Sequence, residues 1–202
     1  MSTYSNDRAF SDYVFKHLAI PHVYPYMKWQ PHHINAALLE QLDLQQGIDA
    51  IALTEQGQAI SIQYRFRDQF YGNKYSDVTL RYQREHHPNP FAHQSEFFKI
   101  NADYLLYGVS NGKSFPDALP SNTQLTKWAI IDIKKLKQAI DKQIIIIGSP
   151  AIKGIQCQWL NQQLHCPINQ NRDYSSSFVP FDVPLMAQHL SSYGIVVYAH
   201  GF

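Results

Sequence analysis

The stretch Gly47–Arg67, GIDAIALTEQGQAISIQYRFR, constrains this chain more than any other. It reads as two short strands joined by a glycine-containing turn. Strand side chains alternate with a period of two. Ile60, Ile62, Tyr64 and Phe66 therefore share one face of the second strand, and Ser61, Gln63, Arg65 and Arg67 share the other. Asp49 opens the first strand. A carboxylate, an amide oxygen and a neighbouring cation on adjacent strands suit a hard divalent metal held beside a phosphate. A polar, solvated face of an antiparallel strand, begun by an acid after a glycine turn, has the same pattern.

The pattern on either side sets the topology. Asn6 or Asp7 begins a helix over 6–18, with Phe10, Val14, His17 and Leu18 near helical spacing. Residues 19–31, rich in proline and aromatics, predict an irregular connection. A second helix is expected from Pro31 to Leu44, with Ile34, Leu38 and Leu42 as its stripe and Gly47 beyond its end. After the hairpin at 48–66 and a loop at 68–75, a third strand spans 77–84. The segment 85–90, EHHPNP, breaks the pattern twice with proline. A short helix over 92–100 and an apolar strand over 102–109 complete the order helix, strand, strand, strand, helix, strand. A loop at 110–124 follows, then a strand at 127–133, a helix at 133–142 and a β-branched strand at 143–148. Residues 178–184, FVPFDVP, read as an extended loop, 184–192 as a helical turn and 195–198 as a last strand.

That order, with Asp on the first hairpin strand and a polar-x-cation pair on the next, resembles the PD-(D/E)XK nuclease superfamily. The resemblance covers residues 31–109. It implies a restriction-endonuclease-like αβββαβ core, α/β (α+β) in class, with a mixed sheet flanked by helices. Residues 110–202 would then be an extension of the same sheet or a subdomain within a single domain. It also implies a metal-dependent nuclease that hydrolyses phosphodiester bonds in DNA, using Mg2+ or Mn2+. Asp49 matches the family's Asp, Gln63 its second ligand, and Arg65 falls where the family carries Lys. Glu40 matches an acid on the preceding helix, so the implied metal ligands are Asp49, Gln63 and Glu40, with Asp77 and Glu96 as further acids. Arg65 departs from the family in a way that matters: guanidinium stays protonated and cannot serve as a base, though it can hold a phosphate.

Composition bounds the rest. With 202 residues and 45% apolar content the chain is long enough for one sizeable core. Its net charge is +1, so a nucleic-acid surface must come from local patches. One such patch spans residues 64–84: Arg67, Lys74, Arg81 and Arg84 alternate there with Phe70, Tyr71 and Tyr75. Cations interleaved with aromatics suit a groove that tracks a phosphate backbone, and a solvated loop looks similar. The ten histidines, His32, His33, His86, His87 and His93 among them, lack zinc spacing. Cys157 and Cys166 have no partners for a zinc framework and read as reduced thiols. No signal-peptide pattern or membrane-length apolar run is present, so the expected location is cytoplasmic. A homodimer is compatible with the sequence. Two rival readings keep the same residues: a nuclease-fold protein that binds nucleic acid without cleaving it, and a protein-interaction α/β module.

Overall fold

The computed structural model describes residues 3–84, 87, 93–112 and 124–202, with the backbone alone for 3–6. Most of the 85–90 segment, His86, the expected helix start at Ala92 and most of the 110–124 loop lie outside the described residues. The chain is a mixed α/β protein. A six-stranded mixed sheet runs in the order β1 (Gln30–His32), β2 (Ala50–Leu53), β3 (Ala59–Arg67), β5 (Tyr104–Ser110), β6 (Leu125–Asp132) and β12 (Val196–His200). Only β3 and β5 are parallel; the other pairs are antiparallel. Residues 68–103 form the crossover that this parallel pair requires.

Alternation along the central strands builds two cores. Leu106, Trp128 and Ile130 face one way, with Ala50, Ala52, Ile60, Ile62 and Phe66. Leu105, Tyr107, Val109, Ala129 and Ile131 face the other. The first face is covered by α1 (Thr3–Val14), a π-helical turn (Phe15–Ala19) and α2 (Ile20–Met27). These bring Phe10, Val14, Leu18, Val23 and Tyr24 onto it. The second face packs on α6 (Ile133–Asp141) and α7 (Val183–His189), followed by a 3-10 turn at Ser191–Tyr193. Two small sheets complete this side. One is β10 (Asn169–Gln170), β11 (Ser177–Asp182) and β4 (Asp77–Arg81); the other is β7 (Ile145–Ile147), β9 (Gln163–Cys166) and β8 (Gln158–Leu160).

Several expectations are corrected. The third strand, β4, does not join the hairpin's sheet. It pairs with β11, whose FVPFD sequence was expected to be loop but forms a strand of five registered pairs from Phe178↔Arg81 to Asp182↔Asp77. Pro180 sits within it, and period two wins over the proline signal because Val179 and Phe181 are buried. The 19–31 segment is largely helix. The π turn precedes Pro21, where a regular i→i−4 ladder would lose a donor and meet the ring. Pro31 starts no helix; it lies in edge strand β1, where a missing N–H is tolerated. The following helix is α3 (Ala36–Gln46), capped by the Asn35 side chain on the Ala37 and Leu38 amides, with Gly47 left-handed at its end. The helix expected over 92–100 is a single turn, α5 (Glu96–Lys99). Among the described residues no helix is long and apolar enough to cross a membrane.

Candidate functional site

Asp49 and Gln63 come together by register. Ala50 pairs with Ile62, so one residue back along the hairpin Asp49 lies opposite Gln63 on the same face. Both are buried, at 8% and 6% exposure, and both line a cleft of about 950 Å³. Arg65 and Arg67 follow on the same face of β3 and also line it. The cleft's other walls come from α1 (Arg8), α3 (Asp43), β4 (Thr79, Arg81) and α5 (Glu96). The polar face of β3 thus escapes the second core because the crossover leaves it open at this end.

Glu96 is the hub. Its Oε1 accepts from Gln63 Nε2 at 2.6 Å, and its Oε2 accepts from Arg65 Nη2 and from the Arg81 amide at 3.1 Å. Arg65 Nη1 also donates to the Thr79 carbonyl at 2.7 Å, and Arg67 Nη2 to Thr79 Oγ1 at 3.0 Å. Because Glu96 Oε1 accepts from Nε2, it fixes the orientation of the Gln63 amide. Gln63 Oε1 is then turned away from Glu96, buried and without a hydrogen-bond partner.

Asp49 is held from two sides. The Tyr64 amide donates to Oδ2 at 2.9 Å, and Arg8 Nη1 donates to Oδ1 at 3.2 Å. Burial nevertheless pushes the Asp49 carboxyl up to about 7; the Tyr64 amide and Arg8 work against this, while the nearby Asp43 and Glu96 add to it. Arg8 bridges to Asp43 Oδ2 at 2.9 Å and reaches Asp12 Oδ1 through Nε at 3.1 Å. Burial works to lower the Arg8 guanidinium pKa, and Asp49, Asp12, Tyr64 and Asp43 together outweigh it and hold it above its usual value.

The sequence-predicted residues divide accordingly. Asp49, Gln63, Arg65, Glu96, Arg67, Arg81 and Arg84 line the cleft. Glu40 does not, and this is a correction. It is exposed on α3, and Asp43, three residues on, is the acid this helix turns toward the site. Asp77 pairs across β4 and β11 with Asp182, away from Asp49. Lys74 lies beyond the cleft, in an adjoining groove. Arg8 and Asp43 were missed. Asp43 had a signal in its place three residues from Glu40; Arg8 had none, being a single cation on a helix read only for its apolar stripe. Cys157 and Cys166 are free thiols, with sulfurs 3.6 Å apart.

Two oxygen donors for a hard cation line the cleft on residues opposite each other in the hairpin register: the Asp49 carboxylate and the unpaired Gln63 Oε1. Among the described residues no group of three or more His, Cys, Asp or Glu is placed to hold a metal ion. Magnesium, however, is commonly bound through one or two carboxylates, with waters and substrate phosphate as its other ligands. The donor set fits that pattern and does not fit a closed, all-protein cage. Comparison with family models, with curated proteins and with solved structures finds no match.

Proposed function

We propose that the cleft hydrolyses phosphodiester bonds in nucleic acid, most plainly DNA, as a divergent PD-(D/E)XK-type nuclease assisted by magnesium or manganese. The observation that carries the reading is the buried, unpartnered Gln63 Oε1 placed opposite Asp49 in a cleft walled by arginines. Asp49 and Gln63 Oε1 would hold the metal. When bound, such an ion polarises a phosphate and makes a bound water more acidic. Arg65 is fixed by Glu96 and the Thr79 carbonyl, so its guanidinium is pre-set to stabilise charge on the phosphate. Glu96 acts on Gln63 and Arg65 together, as a positioning residue. Arg67, Arg81 and Arg84 extend the positive wall along the path a phosphate backbone would take.

One observation favours a second reading, binding without cleavage. Both oxygens of Asp49 already accept hydrogen bonds, one of them from a guanidinium. The test is cleavage of end-labelled DNA with Mg2+, Mn2+ or EDTA. We expect metal-dependent cleavage that Asp49→Ala lowers by orders of magnitude with the fold retained, since several kcal/mol of charge stabilisation would be lost. Undiminished cleavage by a folded Asp49→Ala protein would sink the proposal. Binding with no cleavage under any divalent ion would transfer it to the second reading.

A further inference from the structure

We infer that a second groove, continuous with the cleft, receives the unpaired bases of a single-stranded segment, so that the preferred substrate is DNA with a single-stranded tail or gap. The inference rests on the nucleic-acid reading above and names its substrate class. The groove measures about 620 Å³ and shares Phe70, Tyr71, Asn171 and Phe178 with the cleft, so one strand can occupy both.

One wall is aromatic and cationic. It is built by α4 (Gln69–Gly72), a single turn at the start of the crossover, and the residues after it. Phe70 is 68% exposed, far more than a ring of its size needs to be, and Tyr75 is exposed beside it. Lys74 Nζ lies 4.0 Å from the Phe70 ring centroid and the Arg67 guanidinium 4.9 Å from that of Tyr71. The Tyr71 and Tyr75 rings are 4.8 Å apart. The wall thus pairs flat apolar faces with cations a short distance away, which is what a base and its phosphate require. Across the groove lie Gln170 and Arg172, with Asn169 and Asn171, whose amide nitrogens donate to the Ile155 carbonyl at 2.9 Å and to Ser176 Oγ at 2.7 Å and so hold their side chains in place; together these polar groups suit base edges. Both of the groove's acids are hydrogen-bonded within the protein: Asp77 accepts from the hydroxyl of Tyr71, in the same groove, at 3.3 Å, and Asp182 caps α7 through the Leu185 amide at 2.8 Å. Paired bases inside a duplex are stacked on both sides and show no free ring face, so the body of a duplex gains nothing from Phe70, whereas an unpaired base does.

The experiment is binding by fluorescence anisotropy in EDTA, where no cleavage occurs. The probes are a blunt duplex, the same duplex with an oligothymidylate tail, and the tail alone. Wild type should hold the tailed duplex more tightly than the blunt one. Phe70→Ala and Tyr75→Ala should each weaken binding of the tail by about 5- to 100-fold, and Tyr75→Ala, outside the cleft, should leave the blunt duplex unchanged. Their salt slopes should match wild type, while Lys74→Ala should lower the slope by roughly 0.7 for one lost phosphate contact. Phe70→Trp should restore tail binding. Equal affinity of wild type for blunt and tailed DNA, or tail binding indifferent to Phe70→Ala, overturns the inference. The two proposals fail separately: a tail preference without cleavage under any metal leaves this one standing, and cleavage of DNA without a tail preference removes this one alone.

Discussion

Asp49→Asn, followed as stability against pH, measures the contest between burial and hydrogen bonding at the centre of the cleft. The carboxyl is raised from an ordinary 3.8 to about 7, a shift of roughly three units. At about 1.4 kcal/mol per unit, the fold prefers the protonated form by on the order of 4 kcal/mol. Asp49 is only 8% exposed, so solvent screening discounts little of this. A folded pKa above the unfolded one means that the native state binds the proton more tightly. The contribution is therefore complete below about pH 4, is lost as pH rises through about 7, and is constant above that. Asparagine titrates nowhere in the range. Asp77 and Asp182, also raised by burial, titrate in both proteins and cancel in the difference. Urea unfolding between pH 4 and 8, analysed by linear extrapolation with equal slopes, gives that difference directly. Wild type should lose about 4 kcal/mol relative to Asp49→Asn across the window. A difference that does not change with pH would show that Arg8 and the Tyr64 amide at least balance burial, and the reasoning would be refuted.

Other perturbations reach the neighbouring contacts. Arg65→Ala leaves Glu96, whose side chain is 12% exposed, without its guanidinium, and should cost about 3–5 kcal/mol in chemical unfolding. Adding Glu96→Gln should recover part of that loss in a double-mutant cycle, and Arg65→Lys should lose less than Arg65→Ala because the charge remains. Glu40→Gln should leave unfolding free energy within about 0.5 kcal/mol of wild type and DNA cleavage unchanged, whereas Asp43→Asn, which weakens the hold on Arg8, should change the metal dependence of cleavage. Gly72→Ala would place a Cβ 2.2 Å from Val109 Cγ1, so thermal unfolding should report a loss of about 1–3 kcal/mol, relieved in part by Val109→Ala.

What the sequence made legible was local and periodic. The hairpin, the shared face of Gln63 and Arg65, and the strand–helix–strand series at 125–147 follow from alternation and caps within a few residues of each other. What it hid was partnership over distance. β4 has the pattern of a meander strand, and nothing in 77–84 says that its partner lies at 177–182, across a long stretch of chain. Pro25 and Pro31 carry the same residue type into opposite outcomes, one inside α2 and one in an edge strand, because tertiary packing overrides a local breaker. The site divides in the same way. Asp49 and Gln63 were visible because one hairpin holds both. Arg8 reaches Asp49 across a sequence separation of 41, and no period in the chain encodes that contact.

Arg8 is also where the two functional readings part. Its Nη1 lies within hydrogen-bonding distance of both Asp43 and Asp49, so a cation already bridges the two acids. A binding-only cleft would keep it there as a permanent countercharge. That arrangement gives Asp49 Oδ1 a hydrogen-bond partner but does nothing for Gln63, whose Oε1 remains buried and unpaired at a cost of about 1–3 kcal/mol. Glu96 prevents the amide from turning to hide it, since Nε2 must face the carboxylate. A cation held by Asp49 and Gln63 Oε1, as proposed, would remove that deficit and would compete with Arg8 for Asp49. Arg8 then keeps a partner on its own helix, for Asp12 already accepts from its Nε, and Asp12 is itself anchored to β3 by the Tyr64 hydroxyl at 2.8 Å. Opening the site in this way would be a side-chain exchange between carboxylates already in place. An unsatisfied oxygen and a ready second berth for the guanidinium both weigh toward the catalytic reading.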